Sequence, residues 1–419
     1  MGETRTSFPK SKIRLLLLEG VHEDGRAMLE GEGFDVDARS GALEGDQLRA
    51  AAADAHVIGV RSKTQLTREV IEAAPRLLAI GCFCAGTNQV DLATASGLGI
   101  PVFNAPFSNT RSVAEMTIAE VIALHRRMFD RSAQMHAGEW NKSASGSHEV
   151  RGRTLGIIGY GHIGSQVSVL AEAMGMRVIF YDVETKLPLG NARPASSLEE
   201  VLRESDVVTL HVPATGTTSG MIDAPRLAMM KPGAMLINNA RGSVVDNDAL
   251  SDALRDGRLG GAALDVFPVE PASKTERFES VLRGAPNVIL TPHVGGSTIE
   301  AQSAISQEVA GKLARFINDG STIGAVNVPQ VDLPSQADRG AEVAGQRPHR
   351  ILHFHKNVPG VLSRMHEVIS SCGANVSGEY LRTDANLGYV VLDVDPTDGE
   401  AIVSGLRNVP ETIRTRVLW

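Results

Sequence analysis

Apolar residues along this chain of 419 residues fall into three series with different rhythms. In the first, short apolar runs at 13–18, 34–37, 56–60, 77–80 and 101–103 alternate with stretches of helical spacing. Runs with little polar alternation predict strands buried on both faces, and strands that alternate with helices predict a parallel sheet covered on both sides. A long helical pattern follows, capped by Asn109 or Thr110 and reaching Arg127, and then a polar stretch at 138–152.

The second series predicts strands at 155–158, 177–181, 207–212, 234–238, 261–266 and 288–291, with helices between them that include 197–203 and 247–256. Six such strands make a complete doubly wound domain. A helix over 297–316 and a short stretch at 325–329 end this pattern, and the polar, Pro- and Gly-containing residues 330–348 read as a linker. The third series is strand 350–355, helix 360–371, strands 375–382 and 388–394, helix 398–408 and strand 412–418. This βαββαβ order is that of a small ferredoxin-like module. The expected class is therefore α/β: two doubly wound parallel-sheet lobes and a ferredoxin-like C-terminal domain.

Composition removes several alternatives. A formal net charge of −8, with no basic cluster beyond single pairs such as Arg126-Arg127, offers nothing to nucleic acid. The longest apolar run, around 15–18, is far below the roughly 20 residues that a membrane helix needs, so no membrane is expected as a partner. Cys82, Cys84 and Cys372 are an odd set, suited to reduced thiols in the cytoplasm; the first two alternate along an apolar run and are expected in the core, with no metal. Trp140 stands out in a chain with 4% aromatic residues and is expected to pack under a loop or at a subunit contact.

The strand at 155–158 runs into Gly159-Tyr160-Gly161-His162-Ile163-Gly164 and then a helical pattern. In such a turn Gly159 allows a tight exit, Gly161 lets backbone N–H groups approach a pyrophosphate at the helix N-terminus, and Gly164 lets helix and sheet pack closely. Asp182 ends the next strand 18 residues past Gly164, where a carboxylate accepts from a ribose 2′-hydroxyl and repels a 2′-phosphate, so NAD is favoured over NADP. Arg61 and Lys63 follow another strand's carboxyl end, the edge where α/β sheets hold ligands.

Arg241, Glu270 and His293 also follow strand ends. Hydride transfer from a 2-hydroxy acid needs a base for the hydroxyl proton, a carboxylate to fix the tautomer and raise the pKa of that base, and a fork for the substrate carboxylate. Neutral His, Glu and Arg are suited to these tasks in that order.

With these residues assembled, residues 13–329 resemble the D-2-hydroxyacid dehydrogenase family. The resemblance rests on Gly81-Cys82-Phe83-Cys84-Ala85-Gly86-Thr87-Asn88-Gln89-Val90-Asp91, 109–115, 156–164, Met230-Lys231-Pro232-Gly233, Arg241-Gly242, 265–271 and Pro292-His293-Val294-Gly295-Gly296-Ser297-Thr298. It implies catalysis by Arg241, Glu270 and His293. It further implies an NAD groove of Gly159, Gly161, His162, Ile163, Gly164, Asp182, His211, Pro213, Ala240, Asp265, His293 and Gly296, with Asp265 on the nicotinamide carboxamide.

Within that family the chain is similar to members of short form that oxidise 3-phospho-D-glycerate and carry an ACT domain directly after the catalytic lobes. This likeness implies a substrate site of Arg61, Ser62, Lys63, Asn109 and Arg241, with Lys142 reaching a neighbouring subunit's site. It also implies an L-serine effector at His355, Asn357 and Asn375, and a homotetramer paired through its ACT and NAD-binding domains. The implied division is a split substrate lobe (12–108 and 297–329), an NAD domain (109–296), a linker (330–348) and an ACT domain (349–419). Three alternatives stay open: reduction of 2-oxoglutarate, oxidation of a different D-2-hydroxy acid, and an NAD-sensing corepressor of the same fold.

Overall fold

The computed structural model describes residues 8–271, 275–334, 348–395 and 399–418. The chain folds into two compact units: one comprises Met1–Ser108 with Gln302–Trp419, the other Asn109–Ala301.

The first unit begins with β1 (Arg14–Leu17), α1 (Glu23–Gly31), β2 (Asp35–Ala38), α2 (Gly45–Ala52), β3 (Val57–Val60), α3 (Arg68–Glu72), β4 (Ala79–Cys82), α4 (Leu92–Gly97) and β5 (Val102–Asn104). The strands form one parallel sheet in the order β2-β1-β3-β4-β5. Alternate residues of the apolar runs go to opposite faces. Leu16, Leu18, Ile58, Val60, Ile80 and Cys82 pack in one core, and Leu15, Leu17, Val57, Ala79 and Phe103 in another. Two-sided burial is why these runs lack polar alternation.

In the second unit, α5 (Thr110–Arg126) and α6 (Met128–His136) precede β6 (Thr154–Ile158), α7 (His162–Ala173), β7 (Arg177–Tyr181), β8 (Arg193–Pro194), α8 (Leu198–Glu204), β9 (Val207–Leu210), α9 (Ala224–Met229), β10 (Met235–Asn238), α10 (Asn247–Arg255), β11 (Gly261–Leu264) and β12 (Val288–Leu290). The order β12-β11-β10-β9-β6-β7-β8 is parallel throughout and reverses direction between β6 and β9. That switch opens a crevice at the carboxyl ends of these two strands, the position at which open α/β sheets bind ligands.

The structure adds two elements to those expected and narrows one expectation. The helical pattern that reaches Arg127 ends there as α5, and a second helix that the pattern did not announce, α6, starts from the same residue, which adopts φ 50°, ψ 41°. The sheet has a seventh strand, β8, whose two residues are too short and too polar to announce themselves. Of the two places expected for Trp140, under a loop or at a subunit contact, the first is not met, since it is 80% exposed.

α11 (Ile299–Asp319) leads back to the first unit, where Val309, Leu313, Phe316 and Ile317 cover the sheet face that carries Leu15, Leu17 and Phe103. Most of the expected linker, residues 335–347, lies outside the described residues. β13 (His349–Lys356), α12 (Val361–Ser371), β14 (Val376–Thr383), β15 (Leu387–Val394), α13 (Gly399–Arg407) and β16 (Thr412–Val417) then form an antiparallel sheet of order β14-β15-β13-β16 with two helices.

One face of this sheet packs on its own helices through Ile351, Val390, Leu392, Met365 and Ile402. Its other face, with Leu352, Phe354, Tyr389, Val391 and Leu418, joins the core that contains Phe103, Phe316 and Ile317. Polar contacts reinforce the join. Tyr389 Oη donates to the Gly320 carbonyl at 2.6 Å. The buried Arg350 pairs with Asp393 through two hydrogen bonds of 2.7 Å and donates to the carbonyls of Asp319 (3.2 Å), Leu333 (2.8 Å) and Pro334 (3.0 Å). The C-terminal module thus shares a core with the first sheet.

Candidate active site

The glycine turn is built as its spacing requires. Gly159 has φ +93°, and a Cβ there would lie 2.5 Å from the His211 carbonyl oxygen; a Cβ on Gly164 would lie 2.1 Å from that of Gly159. Gly161, by contrast, faces nothing within 4 Å. Packing within the protein does not demand glycine there, whereas close approach by an outside group does. Gly161 is also the N-cap of α7, with His162 and Ile163 in its first turn, and it brings no side-chain acceptor to the helix terminus.

Asp182 sits at the end of β7 and steadies this turn, with Oδ2 accepting from the Tyr160 N–H at 2.7 Å and Oδ1 from the Glu184 N–H at 3.0 Å. Across the crevice, just past β9, Nε2 of His211 lies 3.0 Å from Thr209 Oγ1, and its buried Nδ1 has no partner among the described residues. Burial pulls the His211 pKa down to about 3, so this wall of the groove is neutral. Pro213, two residues on, is exposed.

After β10 the buried Asn238 staples the next loop: its amide donates to the Arg241 carbonyl at 3.0 Å and accepts from the Ala240 N–H at 3.1 Å. Arg241 itself is half-buried, and its guanidinium donates to the Ala240 carbonyl at 2.7 Å. From the loop after β11, both Glu270 oxygens reach Nδ1 of His293, at 2.9 and 3.1 Å. This contact fixes the tautomer: Nδ1 carries a proton towards Glu270, which leaves Nε2 for chemistry. The Glu270 hydrogen bond raises the His293 pKa, helped by the Glu270 and Asp265 charges, against burial and Arg241. For Glu270, burial pushes the pKa up, but the His293 hydrogen bond and charge, the Phe267 N–H and Arg241 together bring it below the usual value. Arg241 therefore acts electrostatically on both members of the pair, and the three catalytic candidates gather in one unit.

His293 holds φ +54°, a backbone state unfavourable for a residue with Cβ. Asp265 sustains it. Its buried carboxylate accepts from Thr291 Oγ1 at 2.6 Å, Val294 N–H at 2.8 Å and Gly295 N–H at 2.7 Å, so it braces the loop on either side of His293. The expected hold on a nicotinamide carboxamide would be additional to these three bonds. Asn109 lies against Gly296, where an added Cβ would be 2.7 Å from its Nδ2, and its buried Oδ1 has no partner among the described residues.

Arg61, Ser62 and Lys63 lie in the other unit, in the loop after β3, and Lys142 is an exposed residue beyond α6. Of the effector candidates, His355 is buried on β13, with its pKa lowered by that burial and Nδ1 without a partner among the described residues. Asn357 donates to the Asp384 carbonyl at 2.6 Å, and Asn375 to Asp395 Oδ2 at 3.0 Å. Sequence reading missed Asn238 and Thr291, because their roles depend on contacts that no local motif signals. It also missed Glu120 on α5. This buried residue accepts from Asn239 Nδ2 at 2.7 Å, and burial pushes its pKa up to about 7.

Residues 118–295 match the D-isomer specific 2-hydroxyacid dehydrogenase NAD binding domain, and residues 351–414 match an AHAS small subunit-like ACT domain. Over 416 residues, 99% of each chain, the sequence is 53% identical to D-3-phosphoglycerate dehydrogenase of Haemophilus influenzae. The chain belongs to the D-2-hydroxyacid dehydrogenase family. Within this family it is also 50% identical to D-3-phosphoglycerate dehydrogenase of Escherichia coli K12, over 99% of this chain and 100% of that one. The structure of D-lactate dehydrogenase from Aquifex aeolicus, complexed with NAD and lactic acid, is similar with a TM-score of 0.66 and 30% identity, covering 75% of this chain and 100% of that one.

As a D-2-hydroxyacid dehydrogenase the protein is an NAD-dependent oxidoreductase with a C-terminal ACT domain. The open space at Gly161, the α7 terminus and the Asp182 carboxylate fit the pyrophosphate and ribose of that cofactor. Among the described residues, no helix is long and apolar enough to cross a membrane.

Proposed function

We propose that the protein oxidises 3-phospho-D-glycerate to 3-phosphooxypyruvate, the first step of L-serine synthesis, in the cytoplasm, with L-serine acting as a feedback inhibitor at the ACT domain. The observation that carries this reading is the His293–Glu270 pair under the influence of Arg241, in a chain whose full-length relatives are D-3-phosphoglycerate dehydrogenases. NAD, when bound, supplies the acceptor for the C2 hydride. His293 Nε2 takes the C2 hydroxyl proton, and Glu270 stabilises the resulting imidazolium through Nδ1. Arg241 holds the substrate carboxylate and the C2 oxygen as charge shifts towards it, which also fixes C2 for transfer. Asn109 is the further residue we assign near that carboxylate, with its side-chain amide N–H as the donor. Arg61 and Lys63, with Ser62, take the distal phosphate.

On the ACT domain His355, Asn357 and Asn375 are the residues we assign to L-serine. Homotetramer formation is supported by the exposed Met128, Phe129 and Met135 of α6 and the neighbouring Trp140, apolar surface suited to a subunit contact, with Lys142 beside it. The test is NADH formation from 3-phosphoglycerate, with and without L-serine, alongside 2-oxoglutarate as a competing substrate in the reverse direction. Activity that L-serine suppresses is the expected result. NAD binding without turnover of 3-phosphoglycerate would end the reading.

A further inference from the structure

Glu19 lies two residues past the end of β1, within the same compact unit as the Arg61–Lys63 loop, and takes φ +66°. Its carboxylate accepts four consecutive backbone N–H groups: Arg61 at 3.2 Å and Thr64 at 2.9 Å on Oε1, Ser62 at 3.0 Å and Lys63 at 3.0 Å on Oε2. The Arg61 guanidinium also reaches the Glu19 carbonyl, at 3.5 Å. On the other side of the loop, the Arg61 carbonyl accepts from Gln89 Nε2 and from Cys84 Sγ, and the Thr64 side chain is fully buried.

Successive N–H groups that converge in this way form an anion-binding concavity. Here an internal carboxylate fills it, held in a backbone conformation that L residues avoid. An incoming phosphate therefore meets the loop's side chains rather than its amides, and the position of those side chains depends on the carboxylate behind them. Resting on the reading that Arg61 and Lys63 hold the distal phosphate, we infer that Glu19 is a positioning residue for that phosphate, the built-in counter-ion that sets the shape of the Arg61–Thr64 turn. Glu19 makes no contact with the reacting carbon in this role, so it governs substrate capture rather than hydride transfer.

Glu19→Gln keeps the size of the side chain but replaces one acceptor oxygen with an amide that donates, so the N–H groups facing it lose their partner. The expected result is a KM for 3-phosphoglycerate raised at least tenfold, a kcat within twofold of the parent and an unchanged KM for NAD. Inorganic phosphate, used as a competitive inhibitor, should weaken by a similar factor. Arg61→Ala is measured in parallel. If Arg61→Ala leaves the KM for 3-phosphoglycerate unchanged, the phosphate reading of the loop fails. If Arg61→Ala raises it and Glu19→Gln does not, the role of Glu19 alone is overturned. A fall in kcat with KM and phosphate inhibition unchanged also overturns it. Should Glu19→Gln not fold, Glu19→Asp keeps the charge and shortens its reach: a KM rise of threefold or more at constant kcat supports the inference, and an unchanged KM overturns it.

Discussion

The imidazole of His293 must be neutral to accept a proton, yet Glu270 favours its charged form. Oxidation of the hydroxy acid should therefore rise with pH through a His293 pKa set above 6.5, and Glu270→Gln should move that limb to lower pH while cutting kcat by about tenfold to a hundredfold. A pH profile of kcat for both proteins checks this. Stability follows the same pair. The raised His293 pKa contributes below 6.5 and is lost as pH climbs through the folded value; the lowered Glu270 pKa contributes above 4.5 and is lost as pH falls through its own. The pair thus works fully between those limits. Glu120 behaves differently, because a carboxyl whose pKa is raised from 4.5 to about 7 favours the folded state below 4.5 and loses that advantage as pH rises to 7. Glu120→Gln should remove this slope, on the order of 3 kcal/mol, from melts recorded between pH 4.5 and 8. Arg241, Glu270 and His293 could be singled out in the sequence because each follows the carboxyl end of an apolar strand run. Glu120 and Asn239 were not, since their contact spans 119 positions along the chain.

At the scale of elements, the glycine turn and the loop carrying His293 are each pinned by one carboxylate. Asp182→Ala frees the Tyr160 N–H and should weaken NAD binding by about tenfold, as well as narrowing the preference for NAD over NADP. Fluorescence titration with NADH and NADPH measures both; an unchanged NADH affinity would leave Asp182 with no structural part in the turn. The turn was readable because its spacing is local. The end of α5 at Arg127 was readable too, but the start of α6 was not: Arg127 links the two helices in the left-handed region usually signalled by glycine, with its guanidinium bonded to Asp130, including one bond of 3.0 Å.

Across the whole chain, the three apolar series told the number of sheets but not which faces meet. A clue was present, since β15 is buried at all eight positions and so needs a cover on each face, yet periodicity names no partner. Removal of everything after residue 334 should strip the sheet from Phe103, Phe316 and Ile317, leaving a fragment that aggregates in size-exclusion chromatography. Asp393→Ala would strand the buried Arg350 guanidinium and should cost about 3–5 kcal/mol in thermal or chemical unfolding. The same join bears on how such a chain can change over generations. A substitution on the inward side of α11, at Phe316 for instance, must be absorbed by Phe103 on the first sheet and by the strands of the C-terminal one at once. Neither can drift without the other, and an ACT domain transplanted here from another protein would have to bring a matching α11 with it.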